Sequence, residues 1–568
     1  MSPSTLRRGV LAVLASGALV LSGVAAATPA ASAPANRAPD AAALAGPLAN
    51  QTLTWEQCAW PDFVGEQRDQ IVPMLDSVPG VACATVTVPR DWHNPTDGHT
   101  IQVRVSKTGT AAPGVRQGMI MTNPGGPGGA GTWMAPLLAV AAPAISSEFD
   151  FWGMDPRGIG ESTQLVCEAS PMPETYQAAV EGCLDEELTR YITTEQTTYD
   201  MDLIRHLAGE SKLNYFGGSY GTWLGTWYQR VFPHHSGRFV LDSAADLTRT
   251  SLQETWDLQP RSRDRQFQDA LLPYVARNAA LFGASSSDPQ QLRRDWEAVG
   301  GTRTLFGQLV VMIGILPALY GTANYPMAAQ LIVEYINMGG EAGLEGMTPE
   351  QGFAALARRA STRAVLTPAQ KAELLQAAEE AEEPAGYDMT FDAIRCQDGP
   401  WNQSTGYWRN WLKDLQRKAP FIAPMMDVPG CAWWPNVTKM PTKQSAMKAP
   451  TTLILQSELD AATPYEGGLR SGRILSNTSL VSVDNEGSHG LYPYGTTCVD
   501  DKVETYLLTG RLPEKYSVCQ AKPLPLEDRT YEVAGEIGPK GTLKLKMRTD
   551  EVKEANAMLR KLLKDSAR

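Results

Sequence analysis

The chain has 568 residues, 43% hydrophobic and 20% charged. That is a globular composition, long enough for one large core with an insertion. A formal charge of −12 without any basic cluster excludes nucleic-acid binding, because phosphates must be met by Lys and Arg.

Arg7 and Arg8 precede an apolar, small-residue run from Gly9 to Val24, and Ala31-Ser32-Ala33 is an A-x-A cleavage site. These three parts make a secretory signal peptide over 1–33, with cleavage near Ala27 or Ala30 as the alternative. The run is too short and too broken by Gly and Ser for a membrane anchor. The residues around the twin Arg fit the Tat route poorly, so a Sec-type signal is expected. No Cys sits near the cleavage point, which argues against a lipid anchor. Residues 34–53, rich in Ala and Pro, read as a disordered linker or pro-segment. The mature protein is therefore expected outside the cell, without a stable membrane anchor.

Eight Cys follow, an even count that suits disulfides in an exported chain. They fall into four sequence-local couples, Cys58–Cys83, Cys167–Cys183, Cys396–Cys431 and Cys498–Cys519, although eight Cys allow 105 connectivities. No C-x-x-C and no H-x-x-x-H is present, so neither a metal nor another cofactor is expected.

The first part of a core spans 54–245. Residues 54–83 read as an irregular segment pinned by Cys58. Cys83–Pro89 alternates with period two, and Thr100–Val105 is its hairpin partner after turns at Asn94-Pro95 and Asp97-Gly98. Gly118–Asn123 is a short apolar run, as in a buried strand. It ends in the glycine loop Asn123-Pro124-Gly125-Gly126-Pro127-Gly128-Gly129-Ala130-Gly131. A phosphate cradle would need a Lys that is absent. Two readings remain: a plain flexible loop, or an oxyanion hole, whose small residues let backbone N–H groups approach a developing alkoxide.

Glu148–Met154 is the next strand. Asp155 and Arg157, in the turn that follows, read as structural ties beneath the glycine loop. Between 200 and 209, Met201, Ile204 and Leu207 share one helical face. Then comes Asn214-Tyr215-Phe216-Gly217-Gly218-Ser219-Tyr220-Gly221-Thr222, a strand running through a sharp turn into a helix. Its G-x-S-x-G core fits the nucleophile elbow of α/β-hydrolases. A serine hydroxyl is a weak nucleophile until a base takes its proton, and the turn must hold it clear of the backbone. Residues 237–242 form the following strand. Strands alternating with helices give a mostly parallel, doubly wound sheet.

Residues 246–445 change character. Segments 290–299 and 368–381 are helical in pattern, and no strand–helix unit repeats, so this region reads as a large helical lid insertion. Its aromatics Trp401, Trp408, Trp411, Trp433 and Trp434 are candidates for a cleft lining, with core packing as the plainer role. The core resumes over 446–520, with strands at 451–456 and 478–483, the second read as the last. In the extension 521–568, residues 529–547 suggest a β-hairpin and 549–564 an amphipathic helix.

In this fold the triad runs Ser, acid, His in chain order. Of the six His, only His489 lies well beyond Ser219 and after a late strand; His234 and His235 are too close behind the elbow and read as capping its helix. Asp460 precedes His489 by one β–α unit and is the expected acid, with Asp242, at the end of the strand after the elbow, as its rival.

The motifs Asn123-Pro124-Gly125-Gly126-Pro127-Gly128, Asp155-Pro156-Arg157-Gly158-x-Gly160, Gly217-Gly218-Ser219-Tyr220-Gly221, Asp460-Ala461-Ala462-Thr463-Pro464 and Gly487-Ser488-His489-Gly490 together resemble the secreted tripeptidyl aminopeptidases. These are relatives of proline iminopeptidase among α/β-hydrolase serine exopeptidases. The resemblance covers about 54–520. Asn123 stands where proline iminopeptidases usually carry His, which places the chain nearer the tripeptidyl branch. The resemblance implies release of short peptides from free N-termini. Ser219 would attack, His489 would shuttle the proton, and the N–H groups of Tyr220 and Gly126 would hold the oxyanion. A lid carboxylate would read the substrate ammonium, and Asp398, beside Cys396, is the candidate against a simple lid salt bridge. The rival functions are an esterase or lipase on the same scaffold, proline iminopeptidase-type specificity, and a non-catalytic binding protein. The sequence sets no oligomeric state.

Overall fold

The nine main strands join one sheet in the order β1-β2-β4-β3-β5-β6-β7-β8-β9. They are β1 (Ala82–Pro89), β2 (Thr100–Lys107), β3 (Gly118–Asn123), β4 (Phe149–Met154), β5 (Leu213–Gly218), β6 (Ser236–Asp242), β7 (Thr452–Ser457), β8 (Thr478–Asp484) and β9 (Tyr516–Gln520). This computed structural model describes residues 40–562 except 62, 64, 170–175, 345, 382–386, 436–437, 442–449, 536, 539–557 and 560–561. The expected signal peptide lies outside the described residues.

The β1–β2 hairpin and the β2–β4 pair are antiparallel, and every later pairing is parallel. β3, β5, β7 and β8 are buried at every position. Parallel strands covered by helices on both faces must be apolar on both sides. One face packs on a cluster with Trp92, Met201, Trp223, Trp227 and Tyr228. The other packs on Met134, Leu138, Val499, Val503 and Tyr506. The crossovers bring the carboxyl ends of β3, β5, β6, β7 and β8 to one edge, where open α/β sheets bind ligands.

Between β6 and β7 stands the helical segment, with a core of its own that includes Phe267, Tyr274, Trp296, Phe306, Tyr335 and Phe353. Its helices start where the sequence signals them. Asp288, Thr348 and Thr367 cap helices Pro289–Ala298, Pro349–Ser361 and Pro368–Glu380, each with Pro in the first turn. The cap oxygen satisfies an orphan N–H, and Pro has no N–H to leave unsatisfied. The four disulfides pair as expected.

The structure departs from the sequence expectations in four places. Residues 41–50, expected to be disordered, form a short helix, Ala41–Ala45, and a 3-10 turn, Gly46–Asn50. Ala41 donates its N–H to Asp202 at 3.1 Å, and Ala41 and Ala45 are buried; small side chains let this segment lie close against helix Thr194–Leu207. Within the segment expected to be irregular, Gly65–Asp76 is helical despite Pro73. β9 follows what read as the last strand, pairing in parallel with β8. Residues 529–535 hold no strand, while the rest of that expected hairpin lies largely outside the described residues. In the expected terminal helix, Met558, Leu559 and Leu562 are helical, and both Leu are buried.

Candidate active site

Ser219 stands between β5 and the helix Tyr220–Val231 with φ 54° and ψ −126°. Few L-residues adopt this region, and such strain persists only where the surroundings enforce it. Here Ser219 N–H donates to Asp242 O at 2.9 Å. A Cβ on Gly217 would sit 2.6 Å from Gly221 O, so only glycine passes the turn. The glycine loop closes on the turn from the β3 side. At Gly125, φ is +101° and a Cβ would meet Gly218 O at 2.6 Å and Ser219 Cβ at 2.8 Å. Asp155 anchors that loop, accepting from Gly131 and Thr132 N–H at 2.9 and 3.0 Å. Arg157 is wholly buried and grips Asp200 through two contacts of 2.7 Å. The structural reading of Asp155 and Arg157 fits these contacts.

His489 follows β8. Its Nδ1 lies 2.9 and 3.0 Å from the two Asp460 oxygens. Asp460 is itself fixed at the end of β7, accepting from the Ala462 and Thr463 N–H groups at 2.8 Å each and from Thr463 Oγ1 at 3.0 Å. Tyr320 packs edge-on to the imidazole, centroids 5.3 Å apart, and its carbonyl accepts His489 N–H at 2.9 Å. His489 Nε2 is buried with no hydrogen-bond partner among the described residues. No hydrogen bond joins it to Ser219 Oγ among the described residues; such contacts are often long before substrate binds and tighten with it.

Asp242, the rival acid, is occupied differently. Its carboxylate accepts from Leu491 N–H at 2.8 Å and Tyr492 N–H at 2.7 Å. It therefore fastens the loop just beyond His489, while Asp460 faces the ring.

Ser219, Gly126 and Tyr220 line one cavity of about 60 Å³ with Trp256, Arg263 and Tyr320. Arg263 is its single charged lining residue among the described residues. Its Nη2 reaches Tyr320 OH at 3.4 Å, and no carboxylate lies within 4 Å among the described residues. A second cavity, of about 160 Å³, shares Trp256 and Gln259 with the first. Trp401, Trp408 and Trp411 line it, so three of the five singled-out tryptophans do face a cleft. Trp434 is buried in the core and Trp433 packs half-buried against it.

Asp257 projects into this aromatic chamber. It accepts from Gln253 Nε2 at 3.2 Å and Tyr407 OH at 3.1 Å, and no cation lies within 4 Å among the described residues. Burial pushes its carboxyl up to about 6, because desolvation disfavours the charged form by more than the Gln253 and Tyr407 hydrogen bonds and the more distant Arg261 charge restore. Arg395, on the same wall, is paired with Asp392 at 2.6 Å.

Asp398 lies away from both linings. It is 1% exposed and accepts from Trp223 Nε1 and Thr438 Oγ1 at 3.0 Å each, and from Thr194, which also bonds Tyr220 OH. Burial pushes its carboxyl up to about 7. These contacts tie the elbow helix to the strap around Cys396. Neither Asp257 nor Arg263 could be singled out beforehand: both lie in Gln253–Gln266, whose dense polar residues look like any solvated helix.

Comparison with known proteins bears on the same geometry. Residues 119–298 match the model for the alpha/beta hydrolase fold, and residues 419–519 match that for TAP-like proteins. A tripeptidyl aminopeptidase of Streptomyces lividans is 30% identical over 530 residues, covering 85% of this chain and 90% of that protein. The chain belongs to the tripeptidyl aminopeptidase family of α/β-hydrolases. A carboxylesterase B of Mycobacterium tuberculosis is 27% identical, covering 90% of this chain and 98% of its own. The serine protease Hip1 of the same species is 25% identical, covering 84% and 93%. The two matched ranges run into the helical segment from either end and leave 299–418 between them. Four disulfides fit an oxidising compartment.

Proposed function

We propose that this tripeptidyl aminopeptidase family member is a secreted serine exopeptidase that releases short peptides, tripeptides above all, from free N-termini. Ser219 Oγ attacks the scissile carbonyl while His489 Nε2 takes its proton. Asp460 holds the Nδ1–H tautomer and stabilises the imidazolium. The N–H groups of Tyr220 and Gly126 bind the oxyanion, helped by the positive end of the elbow helix. His489 then gives its proton to the leaving amine, and water hydrolyses the acyl-enzyme by the same path in reverse order. The helical segment acts as the lid.

The observation that carries this reading is the His489–Asp460 pair, with Nε2 unengaged, at the sheet edge where Ser219 holds its strained turn. For the amine, the support has moved from Asp398 to Asp257. Asp398 is enclosed by scaffold donors, whereas Asp257 faces a chamber that adjoins the nucleophile's cavity. An ammonium there meets the Asp257 carboxylate, while the faces of Trp256 and Trp401 already carry the Arg395 guanidinium, 5.6 and 5.8 Å from their centroids. The signal segment at 1–33 and the disulfides support secretion.

Labelling with a fluorophosphonate, followed by peptide mapping, tests the core of the proposal. The adduct is expected on Ser219 and absent after Ser219→Ala. An adduct elsewhere, or undiminished hydrolysis by Ser219→Ala, would overturn it. Equal turnover of simple esters and of blocked peptides, with no preference for a free amine, would favour the esterase alternative.

A further inference from the structure

The far end of the elbow helix carries a side-chain cluster that the chemistry above does not use. His234 and His235 follow the last turn of Tyr220–Val231, so twelve residues, about 18 Å of helix, separate them from Ser219. His234 Nε2 lies 2.9 Å from Asp40 Oδ1, and His235 Nε2 lies 3.7 Å from the same oxygen. The two rings converge, centroids 4.0 Å apart. One ligand atom from each of the three residues lies within 4.8 Å of the other two. Bonds of about 2.0–2.1 Å in a tetrahedral zinc site set ligand atoms roughly 3.3 Å apart, between the two separations observed.

His235 is also oriented as a ligand would be. Its Nδ1 lies 2.7 Å from Asp202 Oδ1, which assigns the proton to Nδ1 and leaves Nε2 with its lone pair toward Asp40. Asp202 is buried and fixed by Arg205 Nε at 2.8 Å, Tyr228 OH at 2.9 Å and Ala41 N–H at 3.1 Å. A carboxylate behind an imidazole is the usual outer support of a metal-bound histidine. The side chains of Asp40, His234 and His235 are 39%, 21% and 13% exposed, so an ion and a water can reach them.

We propose that Asp40, His234 and His235 form a zinc site, completed by water, that clamps the N-terminal segment to the core. Two imidazole nitrogens and one carboxylate oxygen suit zinc, whereas calcium and magnesium seek oxygen donors. Asp40 is the residue immediately before helix Ala41–Ala45, and the Ala41 N–H is already held by Asp202. The ion would therefore join three elements: the N-terminal segment, helix Thr194–Leu207 through Asp202, and the end of the elbow helix. Its role is structural, because the site lies a full helix length from the nucleophile. Spacing concealed it, since the two His are adjacent and Asp40 is 194 positions from His234.

The test uses the mature protein freed of metal with EDTA and titrated with Co²⁺, then Zn²⁺. One Co²⁺ per chain is expected, with the visible absorption of four-coordinate cobalt, displaced by Zn²⁺, and Zn²⁺ should raise Tm. His234→Ala and Asp40→Ala should each weaken Co²⁺ binding at least tenfold and abolish the Tm shift. Peptidase activity should stay at wild-type level, which shows that both variants are folded. No cobalt spectrum and no Tm shift in the wild type would overturn the proposal. So would an undiminished signal in both variants, which would place the ion elsewhere, or a Tm that responds to imidazole protonation and not to zinc.

Discussion

The two cavities on helix Gln253–Gln266 share a wall and differ in almost everything else. The smaller holds Ser219, Gly126 and Tyr220, and its one charge is the cation Arg263. The larger holds tryptophans, the carboxylates Asp257 and Asp427 and the Arg395 guanidinium, which is paired with Asp392, and no group of the proposed reaction among its described lining. In the first, backbone geometry dominates: a strained φ, orphan N–H groups at a helix start and a glycine loop in van der Waals contact. In the second, side-chain chemistry dominates: desolvated negative charge among aromatic faces. On the proposed function, chemistry and recognition would be built by different means, the sheet edge supplying one and the helical segment the other.

That division can be broken most forcefully from the chemical side. Ser219→Ala or His489→Ala should lower kcat by about 10⁴-fold or more with little change in KM, since members of such a unit act together. Asp460→Asn should cost about 10³–10⁴-fold in kcat through the wrong imidazole tautomer. Asp242→Asn separates the two acids: a lowered Tm is expected, because the Leu491 and Tyr492 amides face a neutral group with one acceptor oxygen in place of a carboxylate, with the kcat of the folded fraction far less affected. Steady-state kinetics and melting curves on the same preparations check all four.

On the recognition side, Asp257→Asn should lower kcat/KM for free-amine peptides about 10- to 100-fold and leave acetylated peptides unchanged. The wild-type KM for free-amine peptides should rise as pH falls through about 6, where the carboxyl gains its proton, and this rise should vanish in Asp257→Asn. The smallest kinetic effect is expected from Arg263→Gln, a few-fold change in kcat/KM without a change in product length.

Asp398 sharpens the contrast because it is a buried acid that lines neither cavity. Its folded pKa, about 7, is raised above the unfolded 3.8, so the folded state holds the proton more tightly. Its contribution to stability is present below about pH 4 and is lost as pH rises toward 7, by up to about 1.4 kcal/mol per pH unit. Asp398→Asn should flatten that part of the stability–pH curve, measured by urea denaturation, and leave the free-amine preference intact.

How far the sequence foretold this depends on where each residue's signal is stored. Strands β3, β5, β7 and β8 were readable because central parallel strands must be apolar throughout, and Ser219, Asp460 and His489 because chain order in this fold is restrictive. β9 was missed because an edge strand of five residues ending in Gln520 has no strong pattern. Helix Gly65–Asp76 was hidden by Pro73 and a polar first turn. Asp398 attracted attention by standing beside Cys396, yet side-chain direction cannot be read from a neighbour in sequence, and its carboxylate turns under the elbow helix. Asp257 is the reverse case: only the packing of Tyr407 and Trp256 around it, from a distant helix and its own, makes it different from other helical acids.

The most direct measurement is mass analysis of products from one peptide presented twice, with a free and with an acetylated N-terminus. The account predicts successive release of three-residue units from the free form and almost none from the acetylated form. Equal cleavage of both, or internal fragments with no N-terminal register, would contradict it.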